Sequence, residues 1–157
     1  MDQVRLARQS NRVVRRWPGA QRAMGRLHAR LYRISGGRFL PQWFAGAPVM
    51  VLETVGRRSG HKRATPVLYL RAGDALIVLA ANAGADRTPA WWLNLRDAGS
   101  GEVLIGRRRV RVRPRVLAGA ERDRLWRAFV DMYPQAEHYT RFTTRALPLT
   151  ALQPERT

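Results

Sequence analysis

Apolar and polar positions change their spacing several times along the 157 residues, and each change marks an element. Residues 1–17 are polar and basic with a weak helical pattern, which Pro18-Gly19 interrupts. From Ala20 the apolar positions Ala23, Met24, Leu27, Leu31 and Ile34 recur at helical spacing. Arg22, Arg26, Arg30 and Arg33 take another face, and Gly36-Gly37 stops the run, which predicts an amphipathic helix. Residues 38–48, with Trp43, Phe44 and two prolines, read as an irregular connector. Strands are predicted at 49–54, 64–71 and 75–81, the latter two joined by the turn Ala72-Gly73-Asp74. A loop of small residues follows, and Thr88 and Pro89 suit the N-cap and first position of a short helix through Trp91, Trp92 and Leu95.

Gly99-Ser100-Gly101 ends that helix, and residues 102–105 and 108–117 form a further hairpin around Gly106-Arg107. Val110, Val112 and Val116 alternate with Arg109, Arg111, Arg113 and Arg115, the pattern of a strand with one buried and one wet face. Residues 120–132 predict a helix with Leu125, Trp126, Phe129 and Met132 inward, ended by Tyr133-Pro134. A short helical turn carries Tyr139 and Phe142, and residues 147–152 make a last strand. Hairpin strands with helices at three places predict an α+β fold, a small antiparallel barrel with helices packed round it. No internal repeat interrupts it. Residues 1–40 read as a basic N-terminal helical extension and 41–157 as the barrel domain.

Composition narrows the chemistry. The longest apolar run, residues 75–81, is far too short to span a bilayer, and no apolar signal core follows a basic start. A cytoplasmic protein is therefore expected. With no cysteine there is neither disulfide nor thiolate nucleophile, and His28, His61 and His138 stand too far apart to suggest a metal site. The net charge is +18, and Lys62 is the one basic residue of 29 that is not arginine. Coding bias explains arginine over lysine, but the excess of one sign calls for anionic company: nucleic acid, an acidic ligand or an anionic membrane. Residues 1–40 alone hold ten arginines against Asp2.

One stretch concentrates this charge. Between two apolar segments stands Thr-Val-Gly-Arg-Arg-Ser-Gly-His-Lys-Arg-Ala-Thr-Pro, residues 54–66. Gly56, Ser59 and Gly60 suit a turn, and Arg57, Arg58, Lys62 and Arg63 fall within seven residues without a carboxylate. Such crowding is unfavourable unless an anion sits there, and turn N–H groups can help to bind one. A solvated hairpin tip has the same sequence signature. Elsewhere there is no close carboxylate pair, no Gly-x-Ser-x-Gly, no Walker loop and no Gly-x-Gly-x-x-Gly. An enzyme with this inventory would rely on a bound cofactor for the hard step.

Three motifs carry a resemblance. Gly-Arg-Arg-Ser-Gly-His-Lys-Arg-Ala-Thr-Pro (56–66), Ala-Asp-Arg-Thr-Pro-Ala-Trp-Trp-Leu-Asn-Leu (85–95) and Met-Tyr-Pro-Gln-Ala-Glu-His-Tyr (132–139) occur in the order and spacing of another family. From about residue 48 to 152 the chain resembles the deazaflavin-dependent nitroreductase and quinone reductase family of actinobacteria. The resemblance implies a split β-barrel like that of the flavin-mononucleotide-binding oxidoreductases. It also implies reduced coenzyme F-420, a deazaflavin that donates hydride and whose tail bears a phosphate, a lactate and a glutamate chain. By match to the motif, Arg57, Arg58 and Arg63 would hold that tail, and Lys62 is within reach in sequence. Thr65 and Pro66 would lie by the ring or its linker, and Ala80, Ala81 and Asn82 would run along the ring. Trp91 would lie near the pocket, with a core role as the alternative, which is favoured for Trp92.

Tyr133 and Tyr139 match tyrosines that close over the substrate, where a neutral phenol can donate a hydrogen bond as hydride arrives. Half-buried packing is the competing role for each. Ala136 and Ala81 stand where the best-known member has a tyrosine and a serine, so activation of nitroimidazole prodrugs does not carry over. The resemblance thus implies hydride transfer to a quinone, menaquinone-like, or a similar conjugated acceptor. A different class remains: a non-enzymatic basic module for nucleic acid or anionic membrane, or a cofactor binder without turnover. Single-strand readers interleave aromatics with basic residues, and the face from Arg109 to Arg115 has no aromatic, which makes nucleic acid the weaker partner. The basic helix suits peripheral contact with an anionic membrane or a packed cover for its own domain.

Overall fold

A computed structural model describes residues 18–34 and 46–156. The expected basic segment 1–17 and most of the 38–48 connector lie outside the described residues. Helix α1 spans Pro18–Ile34. Strands β1 (Val49–Val55), β2 (Lys62–Leu68), β3 (Leu70–Ala72) and β4 (Ala75–Leu79) follow, then a 3-10 turn at Asn82–Gly84 and α2 (Ala90–Ala98). Strands β5 (Gly101–Ile105) and β6 (Arg108–Val116), helices α3 (Gly119–Met132) and α4 (Gln135–Tyr139), and β7 (Leu149–Pro154) complete the chain.

All pairings are antiparallel, in one seven-stranded sheet of order β2-β1-β5-β6-β7-β4-β3. The single strand expected at 64–71 is in fact two. β2 pairs with β1 and β3 with β4, so consecutive strands sit at opposite edges of the sheet. The chain crosses between those edges at Tyr69, whose N–H donates to Pro48 O at 3.2 Å. A sheet whose two edges meet at one residue has to curl, and it forms a split half-barrel.

Its inner side is filled by Met50, Leu52, Val67, Leu76, Val78, Val103, Val112 and Leu152, with Trp92 and Leu95 of α2. Helices α3 and α4 cover the outer side of β4 and β7 through Leu125, Phe129, Tyr133 and Tyr139 on Ile77, Leu79, Leu149 and Ala151. Both faces of β1 are therefore buried, with five of its seven positions apolar, because α1 covers its outer side. Pro89, not Thr88, caps α2: its carbonyl accepts from Trp92 and Leu93 N–H, and no side chain caps the end. Gly99, at φ 68°, closes that helix by donating to Leu95 O at 2.9 Å.

α1 docks by a face other than its apolar stripe. Ala29 and Tyr32 are buried against Val51 and Leu104, and the Tyr32 hydroxyl accepts from Gly106 N–H at 2.8 Å. Met24, Leu27 and Leu31 remain 65%, 53% and 36% exposed. At 100° per residue they lie roughly 130° round the helix from the Gly25-Ala29-Tyr32 line. The alternation of β6 also fades: Val112 is fully buried and Val110 partly, but Val116, the last residue of the strand, is 54% exposed.

Candidate functional site

The basic stretch is the β1–β2 turn. Gly56 O accepts from Gly60 N–H at 2.7 Å and Ser59 N–H at 3.2 Å, and Gly56 N–H donates to His61 O at 2.8 Å. A Cβ on Gly56 would come within 2.6 Å of Ser59 Oγ, so a larger residue there would displace the Ser59 hydroxyl from its present place. Ser59 Oγ accepts from His61 N–H at 3.3 Å and Arg63 Nη2 at 3.4 Å. The turn is tied to α2 by Asn94, a buried residue whose Oδ1 accepts from Arg57 N–H at 3.1 Å and Arg57 Nη1 at 3.4 Å.

Among the described residues, no carboxylate forms an ion pair with Arg57, Arg58, Lys62 or Arg63. Arg109, Arg111, Arg113 and Arg115 of β6 are the opposite case. Arg109 contacts Glu53 at 2.8 Å and also Glu102; Arg111 and Arg113 share Glu155 at 3.2 and 2.9 Å. Arg115 grips Glu121 with two 2.8 Å hydrogen bonds. These contacts hold the Glu121 and Glu155 carboxyls below the usual carboxylate range, through hydrogen bonds from Arg115 and Arg113 respectively. Four of the 11 carboxylates thus pair with β6, and the β1–β2 turn keeps its charge.

The second part of the candidate site lies where β4 ends. Ala80 belongs to the inner core with Trp92 and Leu95, whereas Ala81 belongs to the outer cluster with Tyr133, Ala136 and Tyr139. The two tyrosine hydroxyls are 2.9 Å apart, either one able to donate, and their rings are 6.3 Å apart at 50°. Burial pushes the Tyr133 phenol up, against the smaller lowering effect of its hydrogen bond with Tyr139. Tyr133 is therefore a neutral phenol at ordinary pH. The pair carries two O–H protons, one used between the rings and the other directed elsewhere.

Residues 80–85 have an unusual backbone: Asn82 and Ala83 adopt φ of 48° and 52°. Asn82 Nδ2 donates to Arg87 O at 2.8 Å. Trp91 is half-buried against the inner core and edge-on to Trp92, with centroids 6.3 Å apart at 74°. Thr65 and Pro66 do not come together: Thr65 pairs with Leu52 and shares its inner side, while the Pro66 ring faces Gly25 of α1. The structure thus joins Ala81, Ala136, Tyr133 and Tyr139 in one cluster, and Arg57, Arg58, Lys62 and Arg63 in one turn.

Three further residues escaped the sequence reading. Asn94 stood inside a quoted motif without a role. Thr54 pairs with Arg63 in the ladder, and its buried hydroxyl has no hydrogen-bond partner among the described residues. Arg145 had no local signal at all; its guanidinium reaches the carbonyls of Ala80, Ala81 and Ala85. The donor set of the turn suits an anionic group: cations without carboxylates, with an unpartnered buried hydroxyl beside them. Among the described residues no group of His, Asp and Glu could hold a metal ion.

Comparison with known proteins agrees with that chemistry. A family described as F-420H(2)-dependent quinone reductase matches residues 23–154. A curated relative, an F-420H(2)-dependent quinone reductase of Mycobacterium tuberculosis, is 30% identical over 132 residues, 81% of this chain and 87% of that protein. A solved structure of an F-420-H2 dependent reductase superposes with a TM-score of 0.61 at 26% identity, covering 68% of this chain and 94% of that one. A heme-binding protein from Mycobacterium smegmatis shares the fold alone, with a TM-score of 0.52 at 17% identity over 68% of this chain and 46% of its own. The three motifs, the split barrel and these matches together show that the chain belongs to the F-420H(2)-dependent quinone reductase family, a family of oxidoreductases that use coenzyme F-420.

Proposed function

We propose that this chain transfers a hydride from reduced coenzyme F-420 to a menaquinone-like quinone at an anionic membrane surface. The observation that carries this reading is the hydroxyl-to-hydroxyl contact of Tyr133 and Tyr139, in one apolar cluster with Ala81 and Ala136. When bound, the reduced deazaflavin supplies the hydride. The chain's own residues bind, orient and donate. Arg57, Arg58, Lys62 and Arg63, with the Thr54 hydroxyl, offer charge-assisted hydrogen bonds to phosphate and carboxylate. Residues 80–82 and Thr65 line the ring, with Trp91 behind it. Tyr139, backed by the neutral Tyr133, donates to the acceptor carbonyl as negative charge develops there.

Alanine at 81 and 136 makes the acceptor wall apolar, which suits a fused aromatic quinone better than a polar nitroimidazole. A lost orienting hydrogen bond costs about 0.5–1.5 kcal/mol, and misplacement costs more, since the reacting atoms must come within roughly 3–3.5 Å. Membrane contact is supported by the exposed Met24, Leu27 and Leu31 beside the exposed Arg26 and Arg30. No described helix is long and apolar enough to cross a membrane. The nucleic-acid reading is weakened further, because every arginine from Arg109 to Arg115 on β6 is matched by a glutamate.

Titration of the protein with coenzyme F-420, followed by steady-state loss of the reduced form with a naphthoquinone and with a bicyclic nitroimidazole, tests the reading. Saturable binding, quinone turnover and little nitroimidazole turnover are expected. Tyr139→Phe should slow quinone turnover several-fold, on the scale of one hydrogen bond, and leave cofactor affinity nearly unchanged. Absence of saturable binding would sink the proposal; faster nitroimidazole turnover, or a wild-type Tyr139→Phe, would mean that the acceptor wall is misassigned.

A further inference from the structure

Arg145 lies between α4 and β7, and its guanidinium is directed wholly at main-chain carbonyls. Nε donates to Ala85 O at 2.9 Å, Nη2 to Ala81 O at 2.7 Å, and Nη1 to Ala80 O at 3.0 Å and Ala146 O at 3.1 Å. Three of these four acceptors belong to residues 80–85. Within that stretch Asn82 and Ala83 are the only non-glycine residues with positive φ among those described. Asparagine tolerates this conformation, but alanine holds it only where its surroundings impose it. Burial pulls the guanidinium pKa down and the charge of Asp86 opposes this, yet arginine remains a cation at any working pH. No carboxylate pairs with Arg145 among the described ion pairs, so its charge and fork are given to the backbone.

The same stretch is packed hard against the helix that carries the second tyrosine. Gly84, at φ 76°, sits so close that an added Cβ would come within 3.0 Å of Tyr139 O and of Phe142 Cβ. Gly84 N–H donates to Ala81 O and Ala85 N–H to Asn82 O, both at 3.0 Å, which closes the 3-10 turn on itself. A planar fork satisfies carbonyls set around its edges, and a lysine ammonium reaches them only from one point.

We infer that Arg145 is a positioning residue: it fixes residues 80–82 against Tyr139, so that the wall beside the cofactor ring and the wall over the acceptor form one rigid unit. The inference deepens the function proposed above and rests on its reading of Ala80, Ala81 and Asn82 as the ring-side stretch.

Amide hydrogen exchange of the cofactor-free protein, paired with fluorescence titration by coenzyme F-420, tests it. Arg145→Ala should speed exchange at Gly84 and Ala85 and raise the cofactor Kd, each on the order of tenfold, while amides of β1 and β5 keep their rates. Millimolar guanidinium, far below denaturing concentrations, should restore part of both, because the carbonyl acceptors are still in place. Arg145→Lys keeps the charge without the fork and should lie between; if Arg145→Ala does not fold, the Lys variant carries the test. Unchanged local exchange in the variants overturns the inference, as does uniformly faster exchange across the molecule. Wild-type protein that binds coenzyme F-420 no better than Arg145→Ala, while both bind it, also overturns it. If the wild type does not bind the coenzyme at all but local exchange responds as expected, the proposed function fails and the positioning role stands.

Discussion

Asn94, on α2, and Arg58, in the β1–β2 turn, differ in what they are tied to. The Asn94 amide oxygen is buried and bonded to Arg57 through both main chain and side chain. Arg58 is exposed, and among the described residues its side chain has neither a hydrogen bond nor an ion pair. Truncating Asn94 removes the acceptor of the part-buried Arg57 N–H, a hydrogen bond worth about 0.5–1.5 kcal/mol. Asn94→Ala should therefore lower the melting temperature and weaken cofactor binding together. Arg58→Ala and Arg63→Ala should each weaken binding about tenfold, the scale of a charge-assisted hydrogen bond, with little change in melting temperature for Arg58→Ala. The exposed share of that effect should shrink as salt rises. Titrations of the three variants at two salt concentrations give the answer. Wild-type affinity in both arginine variants would reduce the turn to a solvated tip. Sequence alone could show the cluster of charge; the buried amide that holds it in place became apparent only when β1 and α2 were adjacent.

α1 is an element with three faces. Gly25, Ala29 and Tyr32 dock it, Met24, Leu27 and Leu31 stay wet, and Arg26 and Arg30 lie on a third line. Small residues and one hydrogen-bonding aromatic suit close packing on β1 and β5, so the larger apolar side chains are left outside. Each basic residue near an anionic surface contributes about 1 kcal/mol at most, and each buried leucine side chain about 1.5–3 kcal/mol. The protein should therefore sediment with anionic vesicles and much less with neutral ones. Leu27→Asp with Leu31→Asp should abolish this without loss of fold, because both side chains are exposed. Equal sedimentation with both vesicle types, or unchanged binding by the double variant, would reject the membrane role. The period of three and four was visible in the chain; its orientation was not, since a periodic pattern identifies faces but does not say which one a neighbour covers.

At the scale of the whole molecule, +18 of net charge coexists with a set of well-formed ion pairs. The pH response should reflect both ends. Tyr133 has its pKa raised above 10 by burial, so the folded state holds this proton more tightly than the unfolded chain. Its contribution to stability is complete below pH 10 and is lost as pH rises through the folded value. Glu121 and Glu155 are depressed, so theirs is complete above the ordinary carboxylate value of 4.5 and is lost on acidification. Melting curves should accordingly fall on the alkaline side above about pH 10, and less steeply for Tyr133→Phe. Identical alkaline slopes for wild type and Tyr133→Phe would show that the buried phenol is not the group responsible. The acid limb should weaken with salt, because those carboxylates are exposed.

Local pattern was enough for much of this protein. Alternation located the strands, Gly56 and Gly60 with their four cations located the basic turn, and three motifs in order pointed to the family. These are properties of neighbours in the chain, where spacing alone decides which side chains share a face. Tertiary structure decided the rest. It split one apolar run at Tyr69 and sent its halves to opposite edges of the sheet, because closing the barrel requires the chain to cross there. It matched Arg109, Arg113 and Arg115 with glutamates 6 to 56 residues away, turning a basic face into a neutralised one. It also brought Arg145 to carbonyls some 60 residues back in the chain. A long side chain's partners are set by where the backbone folds back, and no periodicity around residue 145 encodes that.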